Sequence, residues 1–205
     1  MSRIAVIYYS ATGTVHKLAQ ALAEGAADEG AEVRLRRVAE LAPREAIESN
    51  PQWREHLDTV ASQVPEATLA DLEWADGMAF GTPTRYGAPA AQLKQFLDST
   101  GPLWSEGKLA DKPVTAFTSA SQLHGGQEAT ILPLSNVFYH WGTIMVPPGY
   151  TDDVIFAAGG NPYGTSVTAS EEGPAKEAIE AARYQGRRLA RFTALVRNAA
   201  GRAAV

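Results

Sequence analysis

Apolar residues in this chain follow two spacings in turn: short unbroken runs, and longer stretches in which they recur every three or four positions. Ile4-Ala5-Val6-Ile7-Tyr8-Tyr9 is the first unbroken run. Its β-branched and aromatic residues predict a strand buried on both faces, as in parallel sheets. The polar stretch Ser10-Ala11-Thr12-Gly13-Thr14 follows, after which Val15, Leu18, Ala19, Leu22 and Ala26 recur at helical spacing and Gly30 supplies the stop. A second strand is expected over 31–38, with Val33 and Leu35 on one face. This opening is a βαβ unit, whose crossover is right-handed in nearly all folds.

Residues 40–68 are the least regular, punctuated by Pro43, Pro51 and Pro65. Asn50-Pro51 predicts a helix N-cap with proline in the first turn, and Trp53, Leu57 and Val60 then form a narrow apolar stripe. Thr68-Leu69-Ala70-Asp71 resembles a capping box. The stretch reads as a second crossover lengthened by an insertion. Further strands are expected at 77–81, 113–118 and 143–146, and helices at 89–100, 127–141 and 174–197. Residues 147–173 read as loop, and 198–205 as a frayed tail. Strands alternating with helices predict a single α/β domain over 1–205, built on a five-stranded parallel sheet with helices on both faces.

Composition narrows the chemistry. With 18 basic and 23 acidic side chains in 205 residues, the net charge is -5. Without a basic cluster, binding to a nucleic-acid backbone is not expected. No cysteine is present, which excludes disulfides, thiol nucleophiles and Cys-ligated iron–sulfur clusters. His16, His56 and His124 share no metal-ligand spacing, so no metal is assigned. No run approaches the ~18 apolar residues of a membrane span, and the N-terminus leads directly into the first strand. A cytoplasmic location is the expectation.

Ligands of open α/β sheets bind outside the carboxyl ends of the strands. Three such ends carry loops rich in Ser, Thr and Gly: 10–15, 82–87 and 118–126. The first offers hydroxyls at Ser10, Thr12 and Thr14 ahead of a helix N-terminus, a seat for a phosphate, or simply a helix cap. It lacks both the Gly-Lys-Ser/Thr ending of a P-loop and G-x-G-x-x-G, which favours a phosphomonoester over a pyrophosphate. The second, Gly81-Thr82-Pro83-Thr84-Arg85-Tyr86-Gly87, holds backbone amides in fixed directions, as the edge of a planar heterocycle requires. It reads equally as a stiff connection. The third ends in Gly125-Gly126, which permits close approach of a ligand or forms a flexible turn.

The block Gly81-Thr82-Pro83-Thr84-Arg85-Tyr86-Gly87, with Tyr8-Tyr9-Ser10 and Gly13 before it, resembles the WrbA family of flavodoxin-like NAD(P)H:quinone oxidoreductases (type IV). Phe96-Leu97-Asp98, Leu103-Trp104, Gly125-Gly126-Gln127-Glu128, His140, Gly149-Tyr150, Pro162-Tyr163-Gly164 and Ala182-Arg183-Tyr184-Gln185-Gly186 continue the match in order.

The resemblance implies a flavodoxin-like doubly wound fold, one FMN per subunit, and NADH or NADPH as electron donor to a small-molecule quinone in a two-electron, ping-pong reaction. It also implies a homotetramer, or at least a homodimer, whose sites are completed by a neighbouring subunit. By position, Ser10, Ala11, Thr12, Gly13, Thr14 and Val15 would hold the FMN phosphate. Pro83, Thr84, Arg85, Tyr86 and Gly87, with Ser119, Ala120, Ser121 and Gly125, would line the flavin ring. Trp104 and His140 would frame the pocket for nicotinamide or quinone, with His140 also near the cofactor and the one candidate acid, since histidine titrates near neutral pH. The chain departs from the family at Thr12, where many relatives carry an aromatic residue. It also departs at Trp141, where a second histidine is frequent, and in the third loop, which carries one extra residue around Leu123-His124. The rival readings are a flavodoxin-like electron carrier and a non-catalytic FMN-binding regulatory protein.

Overall fold

Alternate side chains of the first strand define two core layers: Ile4, Val6 and Tyr8 enter one, while Ala5, Ile7 and the following Tyr9 enter the other. The computed structural model describes residues 1–203. Its strands are β1 (Arg3–Tyr8), β2 (Glu32–Arg37), β3 (Gly77–Arg85), β4 (Ala88–Pro89), β5 (Pro113–Ala120), β6 (Ile144–Met145) and β7 (Ser166–Thr168). Its helices are α1 (Thr14–Asp28), α2 (Arg44–Glu48), α3 (Pro51–Ala61), α4 (Leu69–Trp74), α5 (Ala91–Asp98), α6 (Gly101–Ser105), α7 (Gln127–Trp141), α8 (Asp153–Ala157) and α9 (Lys176–Ala203).

The parallel core runs β2-β1-β3-β5-β6. From β1 the chain first builds outward to β2, then returns to the other side of β1 for β3 and everything after it. That reversal places a topological switch point between β1 and β3. Helices α1 and α9 cover one face. They approach closely because Gly25 and Gly186 lack side chains: an added Cβ would lie 1.9 Å from Arg183 O and 2.0 Å from Leu22 O respectively. Leu72 of α4, Leu93 and Leu97 of α5, Leu103 of α6, and Ile131 and Leu134 of α7 cover the other face. The fold is therefore α/β, doubly wound, with helices on both faces.

The fifth strand is in two pieces. β6 pairs with the start of β5, Pro113↔Ile144 and Val114↔Met145, while β7 pairs with its end, Thr118↔Ser166 to Ala120↔Thr168. Between them, fully buried Gln185 of α9 stands in for the missing strand. Its Nε2 donates to Ala116 O at 2.8 Å and Thr115 Oγ1 at 2.6 Å, and its Oε1 accepts from Thr165 N at 2.8 Å. The stretch 147–173, expected as loop, thus contains α8 and the second half of a core strand.

Other differences are local. β3 extends past Gly81 to Arg85 and turns through Tyr86 (φ 53°) and Gly87 (φ 76°) into an antiparallel pairing with β4. The helix expected at 89–100 forms as α5, and a further short helix, α6, opens after it at Gly101-Pro102. α9 continues through Ala203, so 198–203 are helical instead of frayed, and 204–205 lie outside the described residues. Both caps read in the 40–68 stretch form: Asn50 Oδ1 accepts from Trp53 N at 3.1 Å, and Thr68 and Asp71 make a reciprocal capping box. Among the described residues no helix is long and apolar enough to cross a membrane.

Candidate active site

The three loops meet at the switch point, beyond the carboxyl ends of β1, β3 and β5. A cavity of about 240 Å³ lies between them. Ser10, Ala11, Thr12, Thr14 and Val15 line it from the first loop, Pro83, Thr84 and Arg85 from the second, and Ser119, Ala120 and Ser121 from the third. Each loop arrives there because it continues a buried parallel strand, and β3 and β5 stay paired as far as Pro83↔Ser119.

The first loop is shaped for an anion. Gly13 caps α1 at φ 98°, a conformation glycine adopts without penalty, and its N–H donates to Ser10 Oγ at 3.1 Å. Lys17 N, bonded to Gly13 O at 3.0 Å, is the first amide of α1 with a partner of that kind. The amides of Thr14, Val15 and His16 precede it, so they point out of the helix end without helical partners. They gather with the Thr12 and Thr14 hydroxyls at the positive end of the helix dipole. This donor set fits a phosphate monoester.

The second and third loops are tied together. The Thr84 and Thr130 hydroxyls are 2.6 Å apart, Gly87 N donates to Thr84 Oγ1 at 3.2 Å, and a Cβ on Gly126 would lie 2.9 Å from Gly87 Cα. Gly125 is held here by a longer 3.4 Å contact from Thr84 Oγ1 to its carbonyl. Gly125 and Gly87 brace the cavity without lining it, and Gly13 lines the neighbouring one. The Tyr86 side chain is fully exposed and does not line the cavity.

His140 and Trp104 are elsewhere. α7 starts at Gly126, beside Gly87, and ends at Gly142, whose carbonyl accepts from Asp111 N ahead of β5. β5 runs the full height of the sheet in the opposite sense, so His140 sits on the amino-end rim, about 20 Å from the loops at 1.5 Å per helical residue. Trp104 is beside it, donating from Nε1 to His140 O at 2.8 Å, and is half exposed. The pair is formed, but away from this cavity.

The comparisons with known proteins agree with this geometry. Residues 2–153 match the NADPH-dependent FMN reductase family. An NAD(P)H dehydrogenase (quinone) from Deinococcus radiodurans is 46% identical over 192 residues, covering 94% of this chain and 96% of that one. Another from Geotalea uraniireducens is 39% identical over 203 residues, covering 94% and 98%. This chain belongs to the NAD(P)H dehydrogenase (quinone) family. A solved WrbA-like flavodoxin from Agrobacterium tumefaciens superposes with a TM-score of 0.67 at 26% identity, covering 95% of this chain and 99% of its own. The cofactor is FMN and the electron donor NAD(P)H.

Three residues of this family member's cavity were not expected from the sequence: Asn50, Trp53 and Ala169. Asn50 and Trp53 of the 40–68 stretch line it opposite the second loop. Trp53 is oriented by Glu40, which accepts from Trp53 Nε1 (3.0 Å), Tyr9 Oη (2.8 Å) and Gln92 Nε2 (2.7 Å), and from the backbone N–H of Leu41 and Ala42. Burial pushes the Glu40 carboxyl up, but these donors outweigh it and hold it below the usual carboxylate range. The same surroundings push the Tyr9 phenol far up, through burial and then its bond to Glu40. The apolar stripe had marked Trp53 only as a packing residue. Its place at the cavity depends on Glu40 and Gln92, 13 and 39 positions away.

Proposed function

We propose that the protein is an FMN-dependent NAD(P)H:quinone oxidoreductase whose active sites are shared between subunits. What supports this reading is where the expected site residues lie: the three loops at one rim of the sheet, Trp104 and His140 at the other. When bound, FMN supplies the two-electron step between NAD(P)H and quinone. The amides and hydroxyls of 10–15 hold its phosphate. Thr84, Arg85 and residues 119–121 meet the ring edge, and Trp53, fixed by Glu40, forms a flat wall. Trp104 and His140 of a neighbouring subunit close the opening, where His140 donates a hydrogen bond to a quinone oxygen. Nicotinamide and quinone use this opening in turn, which gives ping-pong kinetics.

A second copy is the natural cover for the outer face of α7. Leu132 and Tyr139 are exposed there beside an apolar cavity of about 510 Å³ that reaches Met145 and Tyr163. Contiguous apolar surface of this kind marks an association face. A homotetramer satisfies both features.

The test is anaerobic: load the protein with FMN, titrate with NADH or NADPH, then add benzoquinone while following flavin absorbance. Bleaching by the nucleotide and full recovery with quinone is the expected result. Flavin binding without bleaching would favour an electron carrier or regulatory protein.

A further inference from the structure

The wall of the phosphate loop away from the flavin cavity is made by a histidine pair. His56 of α3 lies against Gly13: a Cβ on that glycine would come within 3.3 Å of His56 Nδ1. Behind it, the rings of His56 and His16 are 5.4 Å apart, and His16 Nδ1 is 2.5 Å from Tyr8 Oη. A second cavity of about 630 Å³ opens over this pair and over Thr12, Thr14 and Lys17.

The two imidazoles are not equivalent. Burial pushes the Tyr8 phenol up, so it keeps its proton while sharing a hydrogen bond with His16 Nδ1. That bond holds the His16 ring in place behind the loop. Burial, and then Lys17, also hold it below the usual histidine range. His56 has no such lock and is only half-buried. Burial, and then neighbouring His16, push it down to about 4. The other charged groups around its two cavities are Arg37 on β2 and Lys17 on α1, which oppose a proton there, and Glu40, Glu55 and Glu171, which favour one.

We propose that His56 takes up a proton when a flavin phosphate enters the first loop, and so makes the protein select the phosphorylated flavin. This rests on residues 10–15 being the phosphate seat. A dianion beside the loop offsets the burial cost of the charged ring and returns it to roughly the ordinary histidine value of 6.5. The sign follows from linkage: the group titrates higher in the complex than in the free protein. The extra affinity is therefore fully present below about pH 4, where the free ring is also charged, and falls away as pH rises from there through ~6.5.

The experiment is calorimetric titration of apoprotein with FMN and with riboflavin at pH 6.5, in two buffers of different ionisation heat, for wild type and His56→Gln. Wild type should take up about half a proton more per FMN than the variant, with no difference for riboflavin. Proton release from the FMN phosphate itself is common to both proteins and cancels. In parallel, the His56 ring resonances of wild type should titrate near 4 without FMN and near 6.5 with it, a readout that needs no variant. Equal proton counts in the two proteins, with FMN still preferred over riboflavin, would overturn the role of His56 alone. Equal affinity of wild type for FMN and riboflavin would overturn the phosphate seat as well.

Discussion

Single residues here act through several partners at once, and Asp71 shows how much depends on one carboxylate. It closes the capping box of α4 with Thr68 and accepts from Arg34 (3.2 Å) and Arg36 (3.0 Å) of β2, joining that edge strand to the helix. Burial alone pushes its pKa up, but Thr68 and the two guanidiniums outweigh this and hold it below the usual carboxylate range. A depressed carboxyl contributes stability that is present above its unfolded pKa, about 3.9, and lost as pH falls through the folded value. Asp71→Asn should therefore cost about 2 kcal/mol at pH 7, with the gap to wild type closing as pH falls below about 3.9 and through the depressed folded value. Urea unfolding of the two apoproteins across that range measures it; a gap independent of pH would mean the charge is not involved. The box was legible as Thr68-x-x-Asp71. The two arginines were not, because β2 reaches α4 only through the fold.

At the scale of elements, the split fifth strand decides where several motif residues belong. Gln185 satisfies backbone groups that a continuous strand would have paired, and Gly164 passes so close to β5 that a Cβ would lie 2.1 Å from Ala116 O. Gly186, next to Gln185, lets α9 touch α1. The blocks Pro162-Tyr163-Gly164 and Ala182-Arg183-Tyr184-Gln185-Gly186 thus serve the joint between two half-strands. Gln185→Leu keeps the volume and removes every hydrogen bond, leaving Ala116 O and Thr165 N buried without their partner. The expected loss is about 2–3 kcal/mol, read as a lower urea midpoint at fixed protein concentration. A change below about 0.5 kcal/mol would show that β6 and β7 hold without the bridge.

For the whole molecule, the distance between the flavin loops and the Trp104–His140 pair leads to a complementation test. A variant with a blocked phosphate loop, Gly13→Val, and a variant lacking the closing pair, Trp104→Ala with His140→Ala, should each turn over poorly. Mixed oligomers from equal co-expression should recover about a quarter of wild-type turnover, because random pairing joins an intact loop to a neighbour's intact rim in that share of sites. No recovery in verified mixed oligomers would place both ends of the site in one subunit.

The amino-acid sequence by itself determined the layers and the rim. Unbroken apolar runs specify strands buried on both faces, helical periodicity specifies what covers them, and a parallel sheet sends every strand-end loop to the same edge. Loops 10–15, 82–87 and 118–126 could therefore be brought together without coordinates. Helix caps were equally readable, being contacts over three residues. Tertiary structure alone decided the rest. Trp53 and His56 lie beside the loops because Glu40, Gln92 and Gly13 hold or admit them, and no local periodicity encodes such contacts. A three-residue strand such as β7 is too short to carry a pattern, and its identity comes from its partner β5 and from Gln185. His140 and Trp104 could be named from their motifs. Their position on the far rim follows from the length of α7 and the direction of β5, which exist only once the chain has folded.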